Sequence, residues 1–171
     1  MLVMVLASIS TSAQNESKNS RKHYREAEKL RQQKIMEKVA KMLADTMFIY
    51  HATDMMVRGS GNMNIGYECD VQVRKIMVIS YLPYIGRAYY KSFDIENSGL
   101  DFTLEMENYF YRKTKSGYKV GFKISNGSDL MNFTFFISAT GYCTLTVGST
   151  RRQSISYYGT IDTITDANTQ K

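Results

Sequence analysis

The chain has 171 residues and an apolar fraction of 43%, which is enough for one domain with its own core and a terminal extension. The single proline excludes a Pro-rich linker and argues against a disordered protein. The net charge of +6 is concentrated, because nine of the 22 basic residues but three of the 16 acidic residues lie between Lys18 and Lys41. The rest of the chain is balanced in charge, so we expect no nucleic-acid partner that contacts the whole fold.

Residues 1–13 have the pattern of the end of a secretory signal peptide. A short apolar run from Leu2 to Ile9 precedes the small residues Thr11, Ser12 and Ala13, which are typical of a cleavage site before Gln14. No Lys or Arg precedes the apolar run, and a buried N-terminal strand is the alternative interpretation. We expect an exported protein of the periplasm or cell envelope, or a secreted one. No later segment reaches transmembrane length.

Residues 14–45 predict a polar lead followed by a basic amphipathic helix that begins near Ser20 and ends near Asp45. The apolar residues recur at roughly helical spacing, at Tyr24, Ala27, Leu30, Ile35, Val39, Met42 and Leu43. The first half of this helix has a thin apolar stripe and many cations. Its basic residues Lys22, Arg25 and Lys29 are candidates for contact with an anionic membrane or polymer surface. A solvated helix face is the alternative.

Residues 46–161 predict a domain of short antiparallel strands joined by tight turns. Apolar and polar residues alternate from Leu100 to Glu107, from Tyr118 to Ser125 and from Met131 to Ile137. Asn126-Gly127, between the last two of these segments, is a strong hairpin signal. The predicted fold class is therefore α+β, with an N-terminal amphipathic helix followed by a curled antiparallel β-sheet meander. The sequence leaves open whether the sheet closes into a barrel, and residues 162–171 predict a flexible tail.

The stretch from Ser80 to Tyr90 contains the only proline, Pro83, and four tyrosines. Proline lacks the N–H that a central strand requires, so the strand before it should end or bend there. Tyr84, Arg87 and Tyr89 follow this break, and we take them, together with two residues of a later segment, Arg152 and Tyr157, as candidate ligand-binding residues. Tyrosine has a flat apolar ring with a polar hydroxyl, and arginine has paired N–H donors that can bind a carboxylate or phosphate. The alternative is a bent strand in which these residues only pack.

Two segments carry a family resemblance. Residues 81–89 read Tyr-Leu-Pro-Tyr-Ile-Gly-Arg-Ala-Tyr, and residues 152–159 read Arg-Gln-Ser-Ile-Ser-Tyr-Tyr-Gly. With the strand order between them, they resemble the secreted Bacteroidetes family called domain of unknown function 4251, over about residues 48–161. The resemblance implies an envelope or secreted protein and brings neither an established activity nor catalytic residues. The segment after Ala52 departs from the pattern because it lacks a proline.

The sequence shows no catalytic or metal-binding constellation. The two histidines, His23 and His51, are far apart, and neither has a Cys or carboxylate at ligand spacing. Glu105 and Glu107 could form a carboxylate pair of the kind that glycosidases use. Their alternation with apolar residues, however, is typical of the solvent-exposed face of a strand. We therefore expect no catalytic residues, no metal, no cofactor and no enzymatic activity.

The two cysteines, Cys69 and Cys143, each fall on an apolar strand face. Export would allow them to form a disulfide, and two separate buried thiols are the favoured alternative. The sequence as a whole predicts a non-enzymatic envelope domain that binds a small molecule or an envelope component. The alternative is a structural or interaction protein that acts through the basic helix.

Overall fold

The computed structural model describes residues 9–57, 61–85 and 100–164, with the side chains of 9–19, Val57 and Tyr67 left out. This part of the chain forms one long helix followed by eight strands, which confirms the predicted α+β class. The elements are α1 (Ile9–Asp45), β1 (Met47–Val57), β2 (Gly61–Arg74), β3 (Met77–Leu82), β4 (Leu100–Lys113), β5 (Gly117–Asn126), β6 (Asp129–Ser138), β7 (Tyr142–Ser149) and β8 (Ile155–Asp162).

The sheet is a closed antiparallel barrel. Each strand pairs with the next along the chain, and β8 pairs with β1, as in the partners Tyr50–Ile161 and Met55–Tyr157. A register shift between Ala52 and Asp54 interrupts β1 against both of its neighbours. Closure gives each of the eight described strands a partner on both sides, and it answers the question that the sequence left open.

Aromatic side chains pack across the barrel interior. Alternate residues of β5 and β6 point inward, as their sequence pattern predicts. Phe122 and Phe133 stack with ring centroids 5.2 Å apart. Phe135 and Phe48 make an edge-to-face contact with centroids 5.7 Å apart. Since each buried side chain of this size stabilises the fold by about 1.5–3 kcal/mol, the interior accounts for much of the stability.

The C-terminal part of α1 covers one end of the barrel, which we call the helix end. Val39, Met42 and Leu43 are buried there and belong to the core. The Tyr109 hydroxyl donates to the Leu43 carbonyl oxygen at 2.9 Å, and Lys75 Nζ donates to the Asp45 carbonyl oxygen at 2.9 Å. The helix therefore ends fastened to the barrel rim.

The helix begins at Ile9, earlier than the start near Ser20 that the sequence predicts. From Ser20 to Lys34 most side chains are exposed, including the large apolar residues Tyr24 (72%) and Leu30 (54%). This half lacks the barrel contacts that bury the second half. No helix in the described part of the chain is long and apolar enough to cross a membrane.

Candidate functional site

Three of the five predicted ligand-binding residues meet at the end of the barrel opposite the helix. Arg152 lies in the connection from β7 to β8, with its Nε atom 3.6 Å from Oδ2 of Asp129, and both side chains are buried. Its guanidinium carbon lies 5.4 Å from the centroid of the Tyr84 ring. Arg152 thus combines a buried ion pair with a cation–π contact. We call Tyr84, Asp129, Ser149, Arg152 and Tyr157 the Arg152 cluster.

Ser149, the last residue of β7, builds the turn that places Arg152. Its hydroxyl oxygen lies 2.7 and 2.9 Å from the two carboxylate oxygens of Asp129, to which it donates. The same oxygen accepts hydrogen bonds from the backbone N–H groups of Arg151 at 3.0 Å and Arg152 at 2.9 Å. Serine hydroxyls commonly fix turns in this way. The start of β6, the end of β7 and the following connection are thereby joined.

Two tyrosine hydroxyls fasten the segment after β3 to this connection and to β8. The Tyr84 hydroxyl donates to the Gln153 carbonyl oxygen at 2.9 Å, and the Tyr157 hydroxyl donates to the Pro83 carbonyl oxygen at 2.7 Å. Burial, with a smaller contribution from neighbouring Tyr84, raises the pKa of Tyr157 above its usual range, so the phenol stays protonated and keeps its donor.

Arg152 and Tyr157 are both buried, so little of either side chain is accessible at the surface. Arg152 is 6% exposed and Tyr157 is fully buried. Arg152 contacts the Tyr84 ring and Tyr157 bonds to Pro83, at the point where the chain leaves β3. The predicted contacts Arg87 and Tyr89 lie outside the described residues.

A second candidate site lies at the helix end, in a cleft between α1 and the barrel rim, and sequence reasoning missed it. The cleft has a volume of about 480 Å³. Its helix wall comes from one face of α1, and its barrel wall comes from β1, the β6–β7 turn, the start of β7 and the end of β8. We call it the helix–barrel cleft. Its main lining residues are Arg31, Ile35, Lys38, Val39 and Met42 on the helix and His51, Gly141, Tyr142, Thr160, Ile161 and Asp162 on the barrel.

The barrel wall of the cleft contains a row of outward-facing residues across three strands. Thr160 of β8 is paired with Tyr142 of β7 on one side and with His51 of β1 on the other. Directly opposed residues of antiparallel strands lie on the same face, so the three side chains are neighbours. Tyr142 is 70% exposed and gives the wall an accessible aromatic ring.

Two contacts set the width of the helix–barrel cleft. Gly141 has a φ of 89°, which favours glycine, and a Cβ built on it would lie 3.8 Å from Cγ2 of Ile35, so the β6–β7 turn lies close to the helix. Lys38 Nζ lies 2.6 Å from Asp162 Oδ1. Partial burial opposes ionisation of Asp162, but the hydrogen bonds from Lys38 and the Thr163 backbone N–H, with the charge of Lys38, outweigh it and lower its pKa.

The spacing of Arg31, Ile35, Lys38 and Met42 places them on one helix face, and the sequence shows this much. The partners of that face on the barrel could be identified only once the path of the helix was known.

Comparison with known proteins identifies the family of this chain. The profile of the domain of unknown function DUF4251 matches residues 30–161. The chain belongs to the DUF4251 family.

A solved structure supports the fold of this DUF4251 domain. The crystal structure of a DUF4251 family protein from Bacteroides eggerthii DSM 20697 aligns with a TM-score of 0.56 and 12% sequence identity. The alignment covers 75% of this chain and 87% of that chain. At this identity the likeness concerns the fold alone. No curated protein matches the sequence. The family that the two tyrosine-rich segments resemble is thus confirmed.

The basic residues Lys22, Arg25 and Lys29 of the DUF4251 protein are exposed on the first half of α1. They line neither the helix–barrel cleft nor the Arg152 cluster. In the part of the chain that the structure describes, no group of three His, Cys, Asp or Glu side chains is arranged to hold a metal ion.

Cys69 and Cys143 of the DUF4251 domain do not form a disulfide, and the barrel register explains why. Cys143 is opposite Gly159, Gly159 is opposite Ala52, and Ala52 is opposite Cys69. The two cysteines share one row but are separated by two strands. With strands about 4.8 Å apart, their Cα atoms lie beyond the distance of about 7 Å that a disulfide can bridge. Burial raises the pKa of Cys143 above its usual range, which keeps it a protonated thiol.

Proposed function

We propose that this DUF4251 protein is an exported cell-envelope protein that binds a small molecule or an envelope component and is not an enzyme. The observation that carries the proposal is the helix–barrel cleft. Its volume of about 480 Å³ lies in the range of small-molecule sites, about 300–1,000 Å³. Its lining combines an apolar floor with a few polar groups, which is the usual composition of such sites.

The chemistry of the cleft favours binding over catalysis. The ionisable groups of its lining are Arg31, His51, Tyr142, Lys38 and Asp162, and of these Lys38 and Asp162 form an ion pair. Nucleophilic catalysis by a hydroxyl or thiol requires that group to lie within hydrogen-bond reach of a base. Among the described residues, no hydrogen bond joins His51 to a hydroxyl or thiol, so the cleft has polar contacts without a catalytic pair.

The opposite end of the barrel offers a second contact surface for the same function. Tyr84 is half-buried beside Arg152, and the segment that continues to Arg87 and Tyr89 starts there. In this arrangement Tyr84, Arg87 and Tyr89 would contact a ligand, and Arg152 and Tyr157 would hold their segment in place.

The test is native mass spectrometry of the mature protein, purified gently from the envelope of its host. We expect a reproducible additional mass of small-molecule size. Thr160→Trp places an indole in the cleft and should abolish the additional mass, whereas the matched control Thr144→Trp, on the outer face of β7 outside the cleft, should retain it. A bare protein mass in every preparation contradicts a stable ligand. An additional mass that survives Thr160→Trp moves the site to the opposite end.

Export rests on the signal-peptide pattern of residues 1–13 and on the family resemblance. Amino-terminal sequencing of the protein isolated from its host should give Gln14 as the first residue. A mature chain that retains residues 1–13 contradicts cleavage by a signal peptidase.

A second candidate function uses the exposed basic half of α1. Lys22, Arg25 and Lys29 stand free of the barrel, and a cationic helix is attracted to anionic headgroups or polymers. Reversal of all three to Glu should abolish flotation with vesicles that contain anionic lipid. Reversal of three exposed barrel lysines, Lys113, Lys115 and Lys123, gives the same change in net charge and should have little effect. Equal flotation of both triple variants and the wild type contradicts a role for the helix.

A further inference from the structure

We propose that the ligand of the helix–barrel cleft is an amphiphile with one acidic head group and an apolar chain, and that Arg31 binds the head group. The inference rests on the proposed function, because it names the ligand class of the cleft. It follows from two properties of the lining, an apolar floor and a cation, Arg31, that has no carboxylate partner among the residues that the structure describes.

The floor of the cleft is apolar and belongs to the edge of the core. Val39 and Met42 are buried, and Ile35 and Ile161 are half-buried and pack against the core. Such a surface gains free energy by covering an alkyl chain, and each methylene buried strengthens binding about fourfold. Chain length should therefore increase affinity until the cleft is filled.

The charges around the cleft favour an acidic head group. Lys38 and Asp162 neutralise each other at 2.6 Å, so they add little to the net charge of the site. Arg31 is exposed on the same helix face and has no carboxylate partner among the described residues. A guanidinium group has two parallel N–H donors that can bond to two oxygens of one carboxylate, sulfate or phosphate group.

The facing wall of the cleft adds hydrogen-bonding groups that are not anionic. Thr160 and Tyr142 bring hydroxyls and His51 brings a ring nitrogen to the same row. These groups tolerate an anion and bring no negative charge that would favour a cation. The uncompensated charge in the lining is thus that of Arg31.

The experiment uses three amphiphiles with alkyl chains of nine or ten carbons and different heads: decanoate, decanol and decyltrimethylammonium. The two ionic amphiphiles are titrated below their micelle concentrations and decanol below its solubility limit into the full chain, and binding is followed by amide chemical shifts in ¹H–¹⁵N NMR spectra. We expect decanoate to bind best and decyltrimethylammonium worst, with shifts confined to residues near the cleft. Octanoate should bind about 16-fold more weakly than decanoate, since two methylenes are lost and each is worth about fourfold.

Two charge-reversal variants locate the head group. Arg31→Glu should weaken decanoate binding about tenfold and strengthen the binding of decyltrimethylammonium. The matched control Lys41→Glu lies on the same helix but does not line the cleft, and it should change neither affinity appreciably. Thr160→Trp should weaken all three amphiphiles, because it occupies the cleft itself.

The outcomes separate this inference from the proposed function. Equal affinities for the three amphiphiles at the cleft overturn the acidic head group and leave binding in the cleft intact. An unchanged decanoate affinity in Arg31→Glu overturns the role of Arg31. Decanoate shifts that map only to the Arg152 cluster, or no shifts at all, overturn the ligand class, even where the host-purified protein carries an additional mass.

Discussion

The Tyr157 hydroxyl donates a hydrogen bond of 2.7 Å to the Pro83 carbonyl oxygen and so fastens the segment that follows β3 to β8. The two residues come from the two segments that carry the family resemblance. Their contact gives those segments a shared structural role, which is to hold the chain at its only proline against the last strand of the barrel.

Removal of this hydrogen bond should destabilise the barrel without altering its shape. Tyr157→Phe leaves the Pro83 carbonyl without its phenol donor, and we expect the free energy of unfolding to fall by about 1–3 kcal/mol. Urea denaturation measures the change. Tyr158→Phe is the control, because the Tyr158 hydroxyl is exposed and makes only a weak 4.0 Å contact with Met56 Sδ. Equal stability of the two variants would show that the Pro83 contact adds little.

The buried pair of Arg152 and Asp129 should matter for stability more than for binding. Arg152→Ala leaves the Asp129 carboxylate buried and removes the cation above Tyr84, so we expect a loss of about 3–5 kcal/mol. Where the variant folds at low temperature, decanoate affinity at the helix–barrel cleft should be unchanged. Arg151→Ala is the neighbouring control, since Arg151 is more exposed. A variant of full stability that no longer binds ligand would make Arg152 a ligand contact.

Gly159 should be intolerant of any side chain. A Cβ at this position would lie 1.8 Å from the His51 carbonyl oxygen, so β1 and β8 would have to separate where the barrel closes. We expect Gly159→Ala to cost about 3 kcal/mol or to prevent folding. Gly148 of β7 has no atom within 4 Å of such a Cβ, and Gly148→Ala should be neutral or stabilise by about 0.5–1 kcal/mol. Thermal unfolding of the two variants tests the contrast.

The Lys38–Asp162 contact should make a small contribution to stability that depends on pH. The folded-state pKa of Asp162 lies below its usual value, so the contribution is present above about pH 4 and is lost as the pH falls through the lowered pKa. Both side chains are about half exposed, which limits the effect to less than about 1 kcal/mol. Asp162→Asn should thus be less stable than the wild type at pH 7 and nearly equal to it near pH 2.

The proton of Asp162 can also be followed directly. An NMR titration of its carboxyl carbon should give a pKa below the usual value for an aspartate, and Lys38→Met should raise it. If the pKa of Asp162 is not lowered, the Lys38–Asp162 contact does not link α1 to β8 in solution.

The strands were the most predictable part of this structure. In residues 118–125 and 131–137 every second residue is apolar, because one face of each strand meets the barrel interior. Gly127, in the turn between these segments, has a φ of 59°, as the hairpin signal predicts. The pairing of β1 with β8 leaves no local pattern, because it joins residues that are distant in sequence. Closure of the barrel therefore needed the structure.

The candidate sites were predictable only in part. Tyr84, Arg152 and Tyr157 do meet, because two unusual segments converge at one barrel end, but their burial depends on Asp129 and Ser149, which no motif indicated. The helix–barrel cleft depends on the path of α1 across the rim. Tyr142, Thr160 and His51 look like ordinary outward-facing strand residues in the sequence, since nothing local shows that a helix faces them.

The pairing of β1 with β8 makes closure of the barrel a late event in folding. β1 is synthesised before all other strands, yet its second neighbour is available only after β8 has been made. Until then, β1 and β7 each have an unpaired edge that can pair with other chains. Contacts between such distant segments form slowly. A variant truncated before Ile155 would retain most of the core residues and become prone to aggregation.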